Sequence, residues 1–555
     1  MGRRVVLGVP VLAVLAVAGT WLPHAVAQPV PAPLPSSSDT PVPGATPSAA
    51  LSPAPVEASP APAPSPTPTQ PPIIVEPPGS AVAPGASQVL RVLQVLGDLT
   101  VTVADPTIAD ASVDSVARTI TITGRTVGRT TLTVTDARGL TRDVAIRVAY
   151  PAGSIADVAQ IRITGHPATS LFVKEQAALA AIKRAVPRPG ATIIATPESL
   201  TFGAPLGIDD IASLDVPVIV QGADYLTVQG TTHVRVENVA LPATRPGFLM
   251  VSDYPETLRE NGVLFTADLN AQQAERFLYY HYNPPGQPDR RILLKVENPS
   301  TQPALLQVIA GRGGPGPYEM EVGHLSTQRF LVRYAQNEGS VITIAGGAIV
   351  TLVNQNLPAS SVVSNLLQLH EISGGSLHLT LFAQNADDPV EGPVPLTTLL
   401  HGDAPHARGM YKPPEFYLGP YTYDADGENL EVAIGQLPLP NLVEGQALSG
   451  DYGVLQTVTV QMVNHSTQTR NVALYANPRG GRATGTFLID GVLVQAHALP
   501  AFSHHKLRQY TLPPHAYVRT EIVTMPEGGS SYPLRLIVGP DDGSAPPGAP
   551  DSLVY

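Results

Sequence analysis

From about residue 85 onward the chain is a succession of short β-branched or alternating runs, each closed by Gly, Pro, Asp or Asn. The first five are Val89 to Val95, Leu99 to Val103, Thr119 to Thr123, Thr130 to Thr135 and Arg142 to Val148. Gly97-Asp98, Asp105-Pro106, Gly124, Gly128 and Ala137-Arg138-Gly139 separate them. Period-two runs between turn residues are half-buried strands, and strands this short pair into small sandwiches rather than one large sheet. The chain is therefore expected to be mainly β and multi-domain: a small β module, a helix-bearing α+β domain, then two β-sandwich (Ig-like) domains, preceded by a disordered Pro-rich stem.

The start of the chain sets the compartment. Arg3-Arg4, an apolar run from Val5 to Leu22 interrupted by Gly8, Pro10 and Gly19, and Ala25-Val26-Ala27 make the three parts of a signal peptide. Cleavage is expected after Ala27, and the bare Arg3-Arg4 pair does not make a twin-arginine signal. No later apolar run is long enough to span a bilayer as a helix, so no membrane span is expected in the mature chain. The sequence has no cysteine, which removes lipoprotein anchoring, disulfides, thiolate metal sites and a cysteine nucleophile together. An exported chain without disulfides must be held by its apolar cores, and 555 residues suffice for several of them.

Residues 28 to 78 contain 18 prolines. Proline fixes φ and lacks a donor, so this stretch reads as an extended stem reaching at most roughly 150 Å at about 3.1 Å per residue. Without the two signal arginines the chain has 45 acidic against 31 basic residues, a formal charge of −14. Nucleic acid is excluded as a partner by that balance, since its binding needs clustered Lys and Arg.

The first strand group also carries a resemblance. Gly97, Asp105-Pro106-x-Ile108-Ala109-Asp110, Ile122-Thr123-Gly124, Val127-Gly128-x-Thr130-Thr131-Leu132-x-Val134 and Asp136-Ala137-Arg138-Gly139 resemble the pilus-formation (secretin-type) N-terminal domain. They are similar, less specifically, to bacterial Ig-like modules. Gly124 and Gly128 are expected to take positive φ, and Asp105-Pro106 to open a tight turn. In secretins this domain leads into ring domains and a membrane-inserted barrel, for which nothing after Tyr150 offers a counterpart. The resemblance thus implies an envelope setting and assembly contacts, not a channel.

Further along, Ser170 to Ala185 places Leu171, Ala178, Leu179 and Ile182 on one stripe, a helix of about four turns stopped by Pro187 and Pro189. It is the one convincing helix in the sequence. Strands are expected at 192–195, 216–221, 225–229 and 233–239. The rest contains an echo: Asn298-Pro-Ser300-Thr301-Gln302 recurs as Asn464-His-Ser466-Thr467-Gln468. A second echo pairs 374–381 and Asp387-Asp388 with 528–538 and Asp541-Asp542. The expected layout is a signal peptide (1–27), linker (28–80), pilus-type module (81–150), helix-containing domain (155–243), a sandwich (246–392), a second sandwich that is a diverged repeat (410–545), and a tail (546–555).

Candidate sites are sparse. His401-Gly-Asp403-Ala-Pro-His406 is the densest grouping of metal-ligating types, and such a loop draws its remaining ligands from elsewhere in the fold. His504-His505 and His515 are further candidates, although strand neighbours point to opposite faces. Solvated linker histidines are the other reading, and no metal or cofactor is assigned. Tyr279, Tyr280, His281 and Tyr282 concentrate aromatic and polar groups, as do Tyr411, Phe416, Tyr417, Tyr421 and Tyr423. These are contact-surface candidates, with packing between domains as the alternative. Asp424-Ala-Asp426-Gly427-Glu428 and Asp541-Asp542-Gly543 offer calcium-type oxygens or plain polar turns. Gly311-Arg312-Gly313-Gly314-Pro315-Gly316 reads as a long hairpin loop. No nucleophile elbow, zincin helix or phosphate loop occurs, so no enzyme is expected. The function expected is an exported envelope or cell-surface structural or interaction protein, associated with pilus or secretion-system assembly through protein partners. The alternative is a carbohydrate-binding or adhesive surface protein whose partner is surface polysaccharide.

Overall fold

The computed structural model describes residues 71–395, 398–402, 406–443 and 445–544. The expected signal peptide, most of the expected stem and the expected tail lie outside them. The described chain forms two compact units that meet in sequence at Tyr150 and Pro151.

The first unit is a sandwich of two four-stranded sheets. Its strands are β1 (Ile74–Glu76), β2 (Gly79–Val82), β3 (Ser87–Gln94), β4 (Thr100–Val103), β5 (Ala109–Asp114), β6 (Thr119–Gly124), β7 (Gly128–Thr135) and β8 (Thr141–Val148). One sheet runs β1-β3-β6-β5 and the other β2-β8-β7-β4. Alternation does the folding: Leu90, Ile120, Ile122, Leu132, Val134, Val144 and Ile146 point inward and are buried, while the threonines between them face out. The fold begins earlier than the stem's expected end at residue 80, because Ile73 and Val75 are buried in this core. Pro77 and Pro78 are tolerated between β1 and β2 because both are edge strands that need no donor there. Asp105 opens the expected turn, its Oδ1 accepting from the Thr107 backbone N–H at 2.9 Å. Gly124 and Gly128, in contrast, are absent from the positive-φ glycines. They serve close approach instead: a Cβ on Gly124 would lie 2.6 Å from Ala83 O, and one on Gly128 2.8 Å from the Ile108 side chain.

The second unit opens with β9 (Gly153–Ser154), β10 (Val158–Thr164), α1 (Ser170–Arg184), β11 (Val186–Pro187), β12 (Thr192–Ile194), β13 (Ile211–Gln221) and β14 (Val228–Asn238). Thr169 caps α1 by accepting from Phe172 N, and Lys183 and Arg184 complement the dipole in its last turn. The strands expected at 225–229 and 233–239 are one continuous strand, β14, paired with β13 over its length. Next come β15 (Pro246–Ser252), β16 (Gly262–Leu269), β17 (Ala274–Asn283), β18 (Arg290–Glu297), β19 (Ala304–Gly316), α2 (Glu319–Ala335), β20 (Gly339–Ile344), β21 (Ile349–Leu357), β22 (Ser361–Ser373), β23 (Leu377–Asn385) and β24 (Arg408–Tyr411).

A single ten-stranded sheet, β12-β13-β14-β10-β20-β19-β22-β17-β15-β24, runs through both regions. The sheet is not interrupted between residues 243 and 246: β10 pairs with β20 through Arg162 and Val341. At the far edge β24 pairs with β15, Tyr411 opposite Leu249, so the segment expected to open the last sandwich belongs to this sheet. The four-stranded sheet β16-β23-β18-β21 covers one face of it around Phe277, Leu294, Leu367 and Leu381.

Helix α2 is the second helix among the described residues, where the sequence offered only one. It rests directly on β19, and the glycines expected to form a loop there are part of that strand. A Cβ on Gly313 would lie 1.9 Å from Val322 O and one on Gly311 2.3 Å from Phe330 N, so only glycine lets the helix approach.

The last sandwich contains β25 (Glu415–Asp424), β26 (Leu430–Ile434), β27 (Leu455–Val463), β28 (Arg470–Pro478), β29 (Ala483–Ile489), β30 (Val492–Leu499), β31 (His505–Leu512), β32 (Tyr517–Thr524) and β33 (Leu534–Pro540). Its sheets run β25-β27-β32-β29-β30 and β26-β33-β28-β31. The second order repeats β17-β22-β19-β20 of the large sheet. The echoed turns are built alike. Asn298 Nδ2 donates to Gln302 O at 2.7 Å and Ile344 O at 3.1 Å, and Asn464 Nδ2 to Gln468 O at 2.8 Å and Leu512 O at 3.0 Å. Each asparagine Oδ1 accepts from the serine two residues on. The second echo does not align this way, because β33 occupies the place of β22 beside β28, whereas β23 lies in the opposite sheet.

Two buried ion pairs join α2 and the large sheet to the last sandwich. Arg276, on β17 and 0 % exposed, donates to Glu415 Oε1 at 3.0 Å and Pro414 O at 2.9 Å. His324 of α2 faces Glu527 Oε2 through Nδ1 and Gln495 Oε1 through Nε2, both at 2.9 Å. Burial alone would pull the His324 imidazole down, but the Glu527 charge and the hydrogen bonds from Glu527 and Gln495 outweigh it and hold it above its ordinary 6.5. Burial would likewise raise Glu527, yet His324 and the hydroxyls of Thr484 and Thr486 hold it below its ordinary 4.5. The imidazolium contribution is complete below pH 6.5 and fades as pH rises through the raised value; the carboxylate contribution is complete above pH 4.5 and fades as pH falls. Stability from this pair therefore peaks between pH 4.5 and 6.5. In urea unfolding followed from pH 5 to 9, the wild type is expected to lose stability above pH 6.5 relative to His324→Gln, whose profile is flatter.

Candidate functional site

Strand β17 decides the fate of the first tyrosine cluster. It lies inside the ten-stranded sheet with β16-β23-β18-β21 on one face and α2 with the last sandwich toward the other, so both alternating faces are covered. Tyr279 and His281 are 0 % exposed and Tyr280 6 %; only Tyr282 is partly accessible. This corrects the contact-surface expectation for Tyr279, Tyr280 and His281. A strand buried on both faces shows no alternation, and aromatic content alone does not reveal it. Tyr279 donates to Gln355 Oε1 at 2.5 Å, and burial pushes its hydroxyl up to about 12.

The second cluster divides. Tyr411 and Tyr423 are buried, and Tyr421 packs against the core of the last sandwich. Phe416 is half-buried at the junction. A register shift between Leu418 and Tyr421 turns Tyr421 and Tyr423 inward. Tyr417 alone stays outside at 55 % exposure, its hydroxyl donating to Glu415 Oε2 at 2.7 Å and its ring lying 4.9 Å from the Arg245 guanidinium. Burial raises the Tyr417 hydroxyl to about 12, with the Glu415 contact acting in the same direction. Tyr318, Phe502 and Tyr517 are also well exposed. Isolated aromatics carry no pattern in a sequence, so these three were not legible there.

The two acidic turns are occupied by protein. Asp426 pairs with Arg470 Nε at 2.7 Å, and Asp424 Oδ1 accepts from the Asp426 backbone. Asp541 and Asp542 both bind the buried Lys506 ammonium, and Asp542 Oδ1 also accepts from Ser544. The calcium reading of both turns gives way to these internal partners.

The histidine loop fares differently. Asp403 lies outside the described residues, and His401 is exposed, edge-on to Tyr254 with centroids 6.1 Å apart. His406 meets two carboxylates: its Nδ1 is 3.4 Å from Asp253 Oδ2 and its Nε2 3.0 Å from Glu256 Oε2. Among the described residues these are the three ligating side chains that converge. The sequence analysis singled out His406 but not its partners, which lie some 150 positions upstream and arrive only through the β15–β24 pairing. His504 and His515 are exposed and His505 half-buried, and none of them joins this group.

Behind this corner Ser252 and His281 form a sealed pair. His281 Nδ1 donates to Pro255 O at 2.9 Å, so its Nε2, 3.2 Å from Ser252 Oγ, accepts the serine proton. Both residues are 0 % exposed, and burial holds the imidazole at about 4. A nucleophile and base with no path to solvent meet no substrate, so the pair serves packing.

Comparisons with known proteins bear on the class. Residues 79–149 match the family described as "Pilus formation protein N terminal region". The match covers about an eighth of the chain and carries the resemblance stated for the first strand group; it fits a surface- or secretion-associated protein. No curated protein matches the sequence. Among solved structures, domains 4 and 5 of the S-layer protein SbsC align at 25% identity over 14% of this chain and 44% of theirs, with a TM-score of 0.13. The chain thus spans under half of that structure. The fibronectin(III)-like modules of Clostridium thermocellum CbhA align at 14% identity over 30% of this chain and 94% of theirs, with a TM-score of 0.17. The Bacteroides ovatus glucan-utilization protein SGBP-B, solved with a mixed-linkage heptasaccharide, aligns at 10% identity over 55% and 72%, with a TM-score of 0.11. Scores of this size carry no argument about role. No helix among the described residues is long and apolar enough to cross a membrane.

The burial contrast within the tyrosine clusters is directly measurable. Tyr279→Ala empties a sealed core position and is expected to cost about 3–5 kcal/mol, while Tyr417→Ala, which removes an exposed ring and one hydrogen bond to Glu415, is expected to cost about 1–2 kcal/mol. Thermal unfolding of the two variants checks this, and equal losses would contradict the assignment.

Proposed function

We propose that this protein is an exported envelope or cell-surface structural protein that joins a pilus or secretion assembly through residues 79–149. The observation that supports this most is the family match, which coincides with a unit that is compact in its own right. Its strands β4 and β5 are edge strands with unpaired backbone groups, the feature by which one β module recruits another. The body from residue 151 onward is read as a rigid presenter of surface. The strand sets β15–β23 and β25–β33 are proposed to descend from one unit, on the strength of the shared asparagine turns and strand order. The role is read as non-catalytic. Deleting residues 73–150 is expected to abolish co-fractionation with outer-membrane complexes while the remaining body still unfolds cooperatively. Retention of the truncated chain in those fractions overturns the proposal.

One observation favours polysaccharide as a second reading. The exposed Tyr417 ring is flanked by Arg245 and Glu415, a flat apolar surface beside hydrogen-bonding groups of the kind that sugars stack upon. Binding on a glycan array that disappears in Tyr417→Ala supports it, and a blank array removes it.

A further inference from the structure

The geometry points to a metal site at Asp253, Glu256 and His406 that takes a divalent first-row transition ion of the zinc class. Each ligand is placed by backbone pairing. Strand β15 ends at Ser252, which pairs with Arg408 of β24, and Asp253 N continues the ladder by donating to Ala407 O at 3.0 Å. That register sets His406 beside Asp253. Glu256 follows on a turn fixed from both ends: Tyr282 N donates to Glu256 O at 2.8 Å, and Leu258 N to Tyr282 O at 2.8 Å. Pro255 O is held by His281 and Tyr254 O by Arg408, at 2.9 and 3.1 Å. The three side chains thus stand on anchored supports, as a ligand set must before it can select a metal.

One ligating atom from each residue lies within 4.8 Å of the other two; the carboxylates now flank opposite ring nitrogens, and a reorientation of the His406 ring that turns one nitrogen toward both brings the three around a common centre. All three residues are half-buried, sheltered yet reachable by an ion. A separate observation asks for a cation: Asp253 Oδ1 is closed to solvent and has no hydrogen-bond partner. A buried carboxylate oxygen left unmatched costs free energy that a coordinated ion would recover.

The donor set chooses the class of ion. One imidazole nitrogen with two carboxylate oxygens is a combination zinc accepts, at about 2.0–2.2 Å per bond, and three protein ligands leave a fourth position for water. Calcium prefers six to eight oxygens and magnesium keeps most of its waters, so an imidazole in a set of three suits neither. A bound ion would pin His406, just before β24, to the turn after β15.

The test uses the full mature chain, stripped with EDTA and dialysed, then titrated with Zn²⁺ by calorimetry and by thermal unfolding, with Ca²⁺ in parallel. Expected are a single equivalent of bound Zn²⁺, a raised Tm that Ca²⁺ does not reproduce, and at least about tenfold weaker binding in both His406→Ala and Glu256→Gln. Should His406→Ala fail to fold, Glu256→Gln, which keeps shape and hydrogen-bonding capacity, decides alone. No Zn²⁺ binding by wild type overturns the site, leaving His406 as an imidazolium clasp between two carboxylates. Binding unchanged in Glu256→Gln overturns it equally, by placing the ion elsewhere.

Discussion

The arrangement of the larger unit depends on one ion pair almost closed to water. Arg276 stands on β17, fully buried, beside the stacked rings of Phe330 and Tyr334, and its guanidinium reaches Glu415 at the first residue of β25. Tyr334 and Tyr417 both donate to the same carboxylate, at 2.7 Å each. Two charges taken out of water regain their solvation only if geometry and additional hydrogen bonds are both good, and such a pair is a device of specificity more than of stability. Here it dictates that β25 leave the edge of the large sheet at one position and one angle. Any sliding of the last sandwich over the apolar seam of Leu249, Leu278, Leu366 and Leu455 would strand a buried charge, a penalty of about 3–5 kcal/mol.

Helix α2 occupies the middle of that seam, and its legibility in the sequence was poor for a physical reason. An amphipathic stripe appears when one face of a helix meets a core and the other meets water. This helix is covered on more than one side, with Ser326, Thr327, Gln328 and His324 buried along with Val322, Phe330 and Leu331. Gly323 in its second turn looks like a helix breaker, yet a Cβ there would lie 1.8 Å from Gly528 O of the neighbouring sandwich. The same close approach explains Gly311 and Gly313, which read as a loop because glycine in a sequence signals conformational freedom more readily than lack of volume. Helix α1, in contrast, buries Phe172, Val173, Ala177, Ala178, Ala181 and Ile182 in the core with β10, β13 and β14 and leaves most of its other residues half-buried; its bounds were legible to within one residue, although Leu171 and Leu179 of the expected stripe are among the half-buried ones.

The sites follow the same logic. Periodicity marks which residues face a core only where the opposite face is wet, so the outward and inward threonine and valine rows of the first unit were readable while Tyr279 to His281 were not. Chemistry assembled from distant segments is likewise invisible until the ladder is known. The loop His401 to His406 announced its ligating residue types, but the carboxylates that meet His406 come from the end of β15. Aspartate turns were ambiguous in sequence because the cation that satisfies them, Arg470 or Lys506, is supplied by a strand folded back against them.

The asparagine turns at both places solve a problem that side-chain packing does not. Each lies where the chain crosses from one sheet of its sandwich to the other, after β18 and after β27, and each ties the carbonyl of a buried residue, Ile344 or Leu512, to one within its own turn, Gln302 or Gln468. An unsatisfied buried carbonyl costs about 1–3 kcal/mol, so neither asparagine is free to drift once the sandwich is built. The two halves differ instead between the strands that follow. Where the first half carries α2 between β19 and β20, the second carries the hairpin β29–β30 between β28 and β31. These two unlike insertions meet: His324 of α2 reaches Gln495 of β30, and Leu331 shares a core with Leu488 of β29. Two sandwiches with identical faces would present the same surface to each other and leave their relation ambiguous. Changing the one connection that faces the neighbour, while keeping the crossings and strand order, gives the halves different surfaces that fit only one way.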